Sequence, residues 1–223
     1  MTRREKPKTS ERSVRFSFEI ERESGNVVRI LEEGKIGYED TVLSSPINLE
    51  LRKHQAVAIV GPNGIGKSTL LKSMTKQIPF LAGNLHLGTN VDIGYYDQEL
   101  KNLSGNKTIL QEIWDLNPTM NEKDVRSILG SFLFTGEDVE KTIPSLSGGE
   151  KARLSLCKLA LESRNLLMLD EPTNHLDIDS KEVLENALIE YDGTLLFVSH
   201  DRYFINRIAT GILELSEEGS TYY

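Results

Sequence analysis

The chain has 223 residues, 38% of them hydrophobic, and this length and composition allow one large domain with a substantial buried core. No uninterrupted apolar stretch approaches the roughly 20 residues that a bilayer-spanning helix needs, so we expect no direct membrane insertion. The formal net charge of -8 argues against a general nucleic-acid binder. The single cysteine, Cys157, cannot form an internal disulfide, which fits a reducing cytoplasm.

The charge is distributed unevenly along the chain. Residues 1–15 contain six basic and two acidic side chains, a net +4, so that the remaining residues carry -12. This basic opening fits either an arm that contacts phosphate groups or the solvated end of a linker.

Two segments near the start of the chain have apolar residues at alternate positions. They are VRFSFEI (residues 14–20) and NVVRILEEGKIGYED (residues 26–40), and the ESGN stretch between them is typical of a turn. We therefore predict an antiparallel β layer here. The segment AVAIV (residues 56–60) is continuously apolar, as expected of a strand covered on both faces in a parallel sheet.

The rest of the chain alternates between helical and strand patterns. Helical spacing occurs at residues 67–76, 108–114, 122–132, 149–163 and 180–189, and strand-like segments occur at residues 85–96, 166–170 and 194–199. This order predicts an α/β fold with a parallel-sheet core, an antiparallel β subdomain and a helical insert at about residues 103–145.

The loop GPNGIGKST, between the strand at residues 56–60 and the following helix, matches the pattern GxxxxGK[ST]. Its glycines let backbone N–H groups converge on phosphate oxygens, and the helix N-terminus adds a favourable partial charge. We expect Lys67 to neutralise the β- and γ-phosphates and Ser68 to ligate magnesium. The predicted ATP-binding residues of the loop are Gly61, Asn63, Gly64, Gly66, Lys67, Ser68 and Thr69.

Two adjacent acids, Asp170 and Glu171, follow the apolar strand LLML. A carboxylate at the end of a buried strand is costly without a cation nearby, so Asp170 is a candidate magnesium ligand. Glu171 is a candidate base that orients or deprotonates water. The alternatives are an ordinary strand-end cap for Asp170 and a solvated acid before Pro172 for Glu171.

Three further segments resemble the ABC ATPase family: LSGGE (residues 146–150), LLMLDEPTNHLD (residues 166–177) and LFVSHDR (residues 196–202). The resemblance spans roughly residues 27–215. It implies a head-to-tail dimer in which each nucleotide lies between the phosphate loop of one domain and the LSGG loop of another. The residues of this signature loop, Ser147, Gly148, Gly149 and Glu150, would then serve the opposite nucleotide. By itself, SGGE is also typical of a helix N-cap.

The resemblance implies roles for four more residues. Gln98, in GYYDQEL, is similar to the glutamine that contacts magnesium and water, and His200 to the switch histidine that contacts the γ-phosphate. Tyr38 resembles the aromatic residue that stacks on adenine, and Asp177 resembles the loop residue that links the two sites of the dimer. The alternatives are a surface glutamine, a structural histidine, a strand-edge core aromatic and a helix N-terminal acid.

The wording EPTNHLD, together with GYYDQEL and HDRYFINRIA, resembles the ABC-F branch of this family, in which two ATPase domains share one chain and act on the ribosome. The basic residues 1–15 resemble the end of the linker between those domains. We therefore expect residues 16–223 to be the C-terminal ATPase domain of a tandem protein. That protein would be a translation or antibiotic-resistance factor that uses ATP and Mg2+. The main alternative is the ATPase subunit of a membrane transporter, and a non-hydrolysing ATP-dependent scaffold is a third possibility.

Overall fold

A computed structural model describes residues 15–103 and 105–223, and the predicted linker, apart from Arg15, lies outside these residues. The elements in chain order are β1 (Val27–Tyr38), β2 (Thr41–Arg52), β3 (Ala56–Val60), α1 (Lys67–Met74), β4 (Ala82–Leu87), β5 (Ile93–Tyr96), α2 (Ile109–Trp114), α3 (Glu122–Ser131), α4 (Gly148–Leu161), β6 (Leu166–Asp170), α5 (Ile178–Ile189), β7 (Thr194–Val198), α6 (Arg202–Ile208), β8 (Gly211–Ser216) and β9 (Gly219–Tyr222).

The strands form two sheets. One is antiparallel, with the order β2-β1-β4, and the other has the order β5-β6-β7-β3-β8-β9. Pairing in the second sheet is parallel from β5 to β8, and only β9 runs antiparallel to its neighbour. The predicted fold class, a parallel-sheet α/β core with an antiparallel β subdomain, is therefore confirmed.

The central strands are apolar throughout because both of their faces are covered. In β6, Leu167 and Leu169 belong to the core shared with the helices, whereas Leu166 and Met168 belong to the core that packs against α1 and the antiparallel sheet. All five residues of β6 are buried. Because both faces are covered, Asp170, at the carboxyl end of the strand, lies at the edge of the buried apolar core.

Helices occupy the region between β5 and α4. α2 begins with a capping box formed by Thr108 and Gln111, and the Asn121 side chain caps α3. Two short 3-10 helices, Gly136–Glu140 and Ile143–Ser145, lead from there to α4. In the described parts of the chain, no helix combines the length and apolarity needed to cross a bilayer.

The predicted strand at residues 14–20 is wrong. From residue 15 onward this segment has no regular secondary structure and joins neither sheet. Its alternation arises because Phe16 and Phe18 are both inserted into the helical core, with their ring centroids 5.2 Å apart, and Phe16 meets Phe132 edge to face at 4.4 Å. The antiparallel partners of β1 are β2 and β4, and in β2 Ile47, Leu49 and Leu51 supply the buried face.

The two sheets are joined through β2 and the β8–β9 hairpin. The Ser44 hydroxyl donates a hydrogen bond to the carbonyl of Ser216, and the backbone N–H of Asn48 donates to the hydroxyl of Ser220. The antiparallel sheet is thereby fixed beside β3, from which the phosphate loop emerges.

Candidate functional site

The phosphate loop runs from the end of β3 to the start of α1. Gly64 and Gly66 have backbone φ angles of +81° and +107°, which residues other than glycine rarely adopt. At Gly66 a Cβ atom would also lie 2.8 Å from Cδ1 of Ile36 and 3.0 Å from Cδ1 of Leu43. The loop therefore turns sharply against the antiparallel sheet, and its shape depends on the absence of a side chain at this position.

Lys67 is the first residue of α1 and its side chain folds back over the loop. Its Nζ donates hydrogen bonds to the carbonyls of Gly61, at 2.8 Å, and Pro62, at 3.1 Å. The pKa of Lys67 is lowered because the side chain is partly buried, and the nearby carboxylates of Glu171 and Asp170 oppose this shift. The ammonium group is thus held at the mouth of the loop, where the sequence pattern predicts phosphate binding.

Asp170 has the features of a cation ligand. Its side chain is almost completely buried, and its Oδ1 has no hydrogen-bond partner among the described residues. Burial raises the pKa of Asp170, and the Ser68 hydroxyl opposes this shift. A buried oxygen without a partner is costly, and hard oxygen ligands are those that magnesium prefers. Ser68 and Asp170 therefore fit a magnesium ion.

No cluster of three or more His, Cys, Asp or Glu side chains suited to a metal occurs in residues 15–103 and 105–223. This is compatible with magnesium, which is commonly held by one or two protein ligands together with water and substrate phosphates.

Glu171 and His200 form a pair beside the phosphate loop. Glu171 has φ of +51° and is 5% exposed, and its Oε1 lies 3.1 Å from Nε2 of His200, whose ring is 60% exposed. Its Oε2 accepts a hydrogen bond from the backbone N–H of His200. Burial raises the pKa of the Glu171 carboxyl, and the charge of His200 opposes the shift. The alternative of a solvated acid before Pro172 does not describe this side chain.

A cleft of about 330 Å³ lies over the loop and contains most of the predicted nucleotide residues. The predicted residues that line it are Asn63, Gly64, Gly66, Lys67, Ser68, Thr69, Gln98, Glu171 and His200. Leu43 and Val198 line it as well and were not predicted. Their apolar side chains sit in strands, and no feature of the sequence separates them from ordinary core residues.

Three predicted residues adjoin this cleft without lining it. The Gly61 carbonyl accepts a hydrogen bond from the Lys67 ammonium group, and the Asp170 carboxyl interacts with the hydroxyl of Ser68, which lines the cleft. Tyr38, at the end of β1, is 52% exposed, and its hydroxyl lies 3.0 Å from Oγ1 of Thr69. An aromatic ring at this position is available for stacking, and it is not a core residue.

The signature loop lies outside the cleft, at the N-terminus of α4. The Ser147 hydroxyl accepts a hydrogen bond from the N–H of Glu150, and the Glu150 carboxylate accepts one from the N–H of Ser147, each at 3.2 Å. Lys141 pairs with the same carboxylate at 3.0 Å. Ser147 is therefore an N-cap in a capping box, and it is also exposed together with Gly148.

Asp177 caps α5 and is also outside the cleft. Its carboxylate accepts a hydrogen bond from the N–H of Ser180 at 2.8 Å, and the side chain and the backbone N–H of Ser180 together lower the pKa of Asp177. The chain thus brings together one set of predicted residues around the phosphate loop, while the signature residues and Asp177 face elsewhere.

Comparison with known proteins gives a family for the chain. Residues 44–174 match the family model described as ABC transporter. The chain is 56% identical over 212 residues to the ATP-binding protein YdiF of Bacillus subtilis, covering 95% of this chain and 33% of YdiF. It is 41% identical over 196 residues to ABC transporter F family member 5 of Arabidopsis thaliana, covering 87% and 28% of the two chains.

A third relative is the energy-dependent translational throttle protein EttA of Escherichia coli, with 39% identity over 201 residues, 87% of this chain and 36% of EttA. The chain therefore spans about a third of the length of these relatives.

Among solved structures, the chain resembles a dimeric post-hydrolysis state of the ATP-binding cassette MJ0796 bound to ADP and Pi. The TM-score is 0.71 at 21% identity, over 88% of this chain and 98% of the other, which shows a shared fold. The similar proteins thus include a member of the F family, and the match of the family model over more than half of the chain shows that this chain belongs to the ABC ATPase family.

Proposed function

We propose that this chain binds and hydrolyses ATP at the cleft over its phosphate loop, and that it does so together with a second ABC ATPase domain. The observation that carries the proposal is the convergence on one cleft of the Lys67 ammonium and of the buried Glu171 carboxylate with its exposed partner His200. Hydrolysis of a phosphoanhydride depends on positioned phosphates, on neutralisation of their negative charge and on an oriented attacking water, and these residues can contribute to all three.

Each residue has a distinct part in this proposal. Lys67 leaves the loop carbonyls and neutralises the β- and γ-phosphates, while Tyr38 stacks on the base. Glu171 accepts a proton from the attacking water, and His200, within 3.1 Å of it, orients the carboxylate and contacts the γ-phosphate. Its raised pKa makes Glu171 a better proton acceptor than an ordinary carboxylate.

A magnesium ion would be held by Ser68, Asp170 and Gln98. When bound, magnesium neutralises negative charge on the phosphate oxygens. The chain itself would supply oxygen ligands. One of them, Oδ1 of Asp170, is already buried and has no hydrogen-bond partner among the described residues.

The second ATPase domain would supply the other wall of the site. Ser147, Gly148, Gly149 and Glu150 do not line the chain's own cleft, so they are free to serve the nucleotide of a partner. Asp177 would link the two sites. We place the partner domain in the same parent protein because the relatives are about three times the length of this chain. Residues 16–223 would form its ATPase domain, with a helical subdomain at about residues 103–145.

We further propose that the parent protein acts in the cytoplasm as an ATP-timed clamp on the ribosome, as a translation factor or in ribosome protection against antibiotics. Similarity to a relative named a translational throttle supports this choice over a transporter subunit. ATP bridging two domains favours the closed state, and hydrolysis releases it.

Two measurements test the proposal. Phosphate release by the chain should require magnesium and fall in Glu171→Gln, and equal rates in the two proteins would remove Glu171 as the base. The full-length parent carrying Glu171→Gln should sediment with ribosomes in the presence of ATP. Retention on membranes rather than ribosomes would favour the transporter subunit.

A further inference from the structure

The loop between β6 and α5 carries Glu171 at one end and Asp177 at the other. It consists of two successive tight turns, closed by hydrogen bonds from Asn174 N–H to the Glu171 carbonyl and from Leu176 N–H to the Thr173 carbonyl, both at 3.2 Å. Within it, His175 has φ of +68°. Left-handed backbone at a residue other than glycine costs about 1 kcal/mol or more and persists where the surroundings impose it.

His175 lies directly against the signature loop of its own chain. A Cβ atom built on Gly148 would lie 3.3 Å from the ring Nδ1 of His175, and one built on Gly149 would lie 2.7 Å from its carbonyl oxygen. The backbone of His175 leaves no room for a side chain at Gly149, so that this position requires glycine. The imidazole lies beside Gly148, where a side chain would fit only if the ring moved by a few tenths of an ångström.

We infer that His175 is a positioning residue for the signature loop, and this inference rests on the proposed function of that loop. The capping box of Ser147 and Glu150 fixes the loop from the side of α4. His175 contacts it at Gly148 and Gly149, and the loop that contains His175 also holds Glu171. The loop from Glu171 to Asp177 thereby joins the residue that acts on the chain's own nucleotide to the residues that contact the partner's nucleotide.

The test uses His175→Asn, because asparagine tolerates left-handed backbone but removes the ring. His86→Asn is the matched control, since His86 is an exposed histidine on β4 that pairs with Glu32.

The first readout is steady-state ATP hydrolysis by the 223-residue chain with magnesium, together with the affinity of the monomer for ATP. Because the signature loop is outside the chain's own cleft, His175→Asn should lower kcat about fivefold or more and leave monomer ATP affinity unchanged.

Equal loss of ATP affinity and kcat would contradict the inference, because it would mean that His175 acts on its own nucleotide. A kcat equal to that of wild type and His86→Asn would contradict it as well.

A second readout does not depend on hydrolysis or pairing. The backbone N–H groups of Ser147, Glu150 and Lys151 are all hydrogen-bonded within the signature loop. Their hydrogen exchange in the isolated chain should accelerate about fivefold in His175→Asn but not in His86→Asn. Unchanged exchange overturns the inference even if the chain hydrolyses ATP. Faster exchange in a chain without ATPase activity would sustain the positioning role and refute the proposed function instead.

Discussion

Glu171→Gln should impair turnover while making the folded chain more stable. The substitution keeps the size of the side chain and removes its charge. Glu171 is 5% exposed, and burial raises its pKa above the ordinary value of 4.5. A carboxyl group whose pKa is raised by folding contributes most to stability below its unfolded-state pKa, and this contribution is lost as the pH rises through the folded-state pKa. At neutral pH the ionised side chain is therefore a cost that glutamine removes.

The two effects have different sizes. Replacing a buried charge with a neutral side chain of the same volume should raise the free energy of unfolding by about 1 kcal/mol near pH 7.5. General base catalysis contributes about 10²- to 10⁴-fold, so the barrier to hydrolysis should rise by roughly 3–5 kcal/mol. A purely structural defect would instead lower the free energy of unfolding and the rate of hydrolysis together.

Urea unfolding at pH 4 and pH 7.5, combined with phosphate-release assays, measures both effects. The free energy of unfolding of the wild type should fall relative to that of Glu171→Gln between these two pH values. If the variant is less stable than the wild type at pH 7.5, the contact with His200 stabilises the charge more than burial destabilises it. That result would refute the reasoning.

Three further changes have expected outcomes. Lys67→Ala should weaken ATP binding roughly 10- to 100-fold, measured by equilibrium titration, because charge-assisted hydrogen bonds to phosphate contribute about 1.5–3 kcal/mol; unchanged affinity would remove Lys67 from the site. Tyr38→Ala should weaken ATP binding about 5- to 100-fold through loss of stacking, while Tyr38→Phe retains it; an equal loss in both variants would instead assign the effect to the hydroxyl contact with Thr69. Phe16→Ala should lower the free energy of unfolding by about 2–4 kcal/mol in urea, with the exposed Glu19→Ala as control, because the Phe16 ring is buried against the helical core; equal stabilities would show that this segment is not anchored.

The sequence predicted the parallel core well because its strands are buried on both faces. The continuously apolar segments correspond to β3, β6 and β7, and the phosphate loop was predicted between β3 and α1. Most of the helices that were predicted begin and end within a few residues of the predicted limits. These patterns reflect strong local constraints, in which side-chain periodicity and glycine-dependent turns are specified by adjacent residues.

The errors arose where tertiary contacts produced the pattern. Phe16 and Phe18 alternate with polar residues because both insert into one helical core, and period-two burial alone cannot distinguish this from strand pairing. The alternation of Ile47, Leu49 and Leu51 in β2 is a sequence signal typical of a strand with one buried face. For the site, sequence patterns indicated the phosphate-loop and carboxylate residues. They did not indicate Leu43 and Val198, or the contact between His175 and the signature glycines, because these depend on how separate segments pack.

The packing of Gly66 against Ile36 and Leu43 has a consequence for domain shuffling and protein engineering. The antiparallel sheet forms the rear wall of the phosphate loop, and the same sheet carries Tyr38 at the end of β1. In a chimera that takes this sheet from one ABC protein and the loop from another, the side chains of the sheet would not be matched to the backbone of the loop at Gly66, even if each parent protein is stable. Exchange of these segments between relatives should therefore preserve ATP binding when the sheet and the loop are transplanted as one piece, and weaken it when the crossover falls between them.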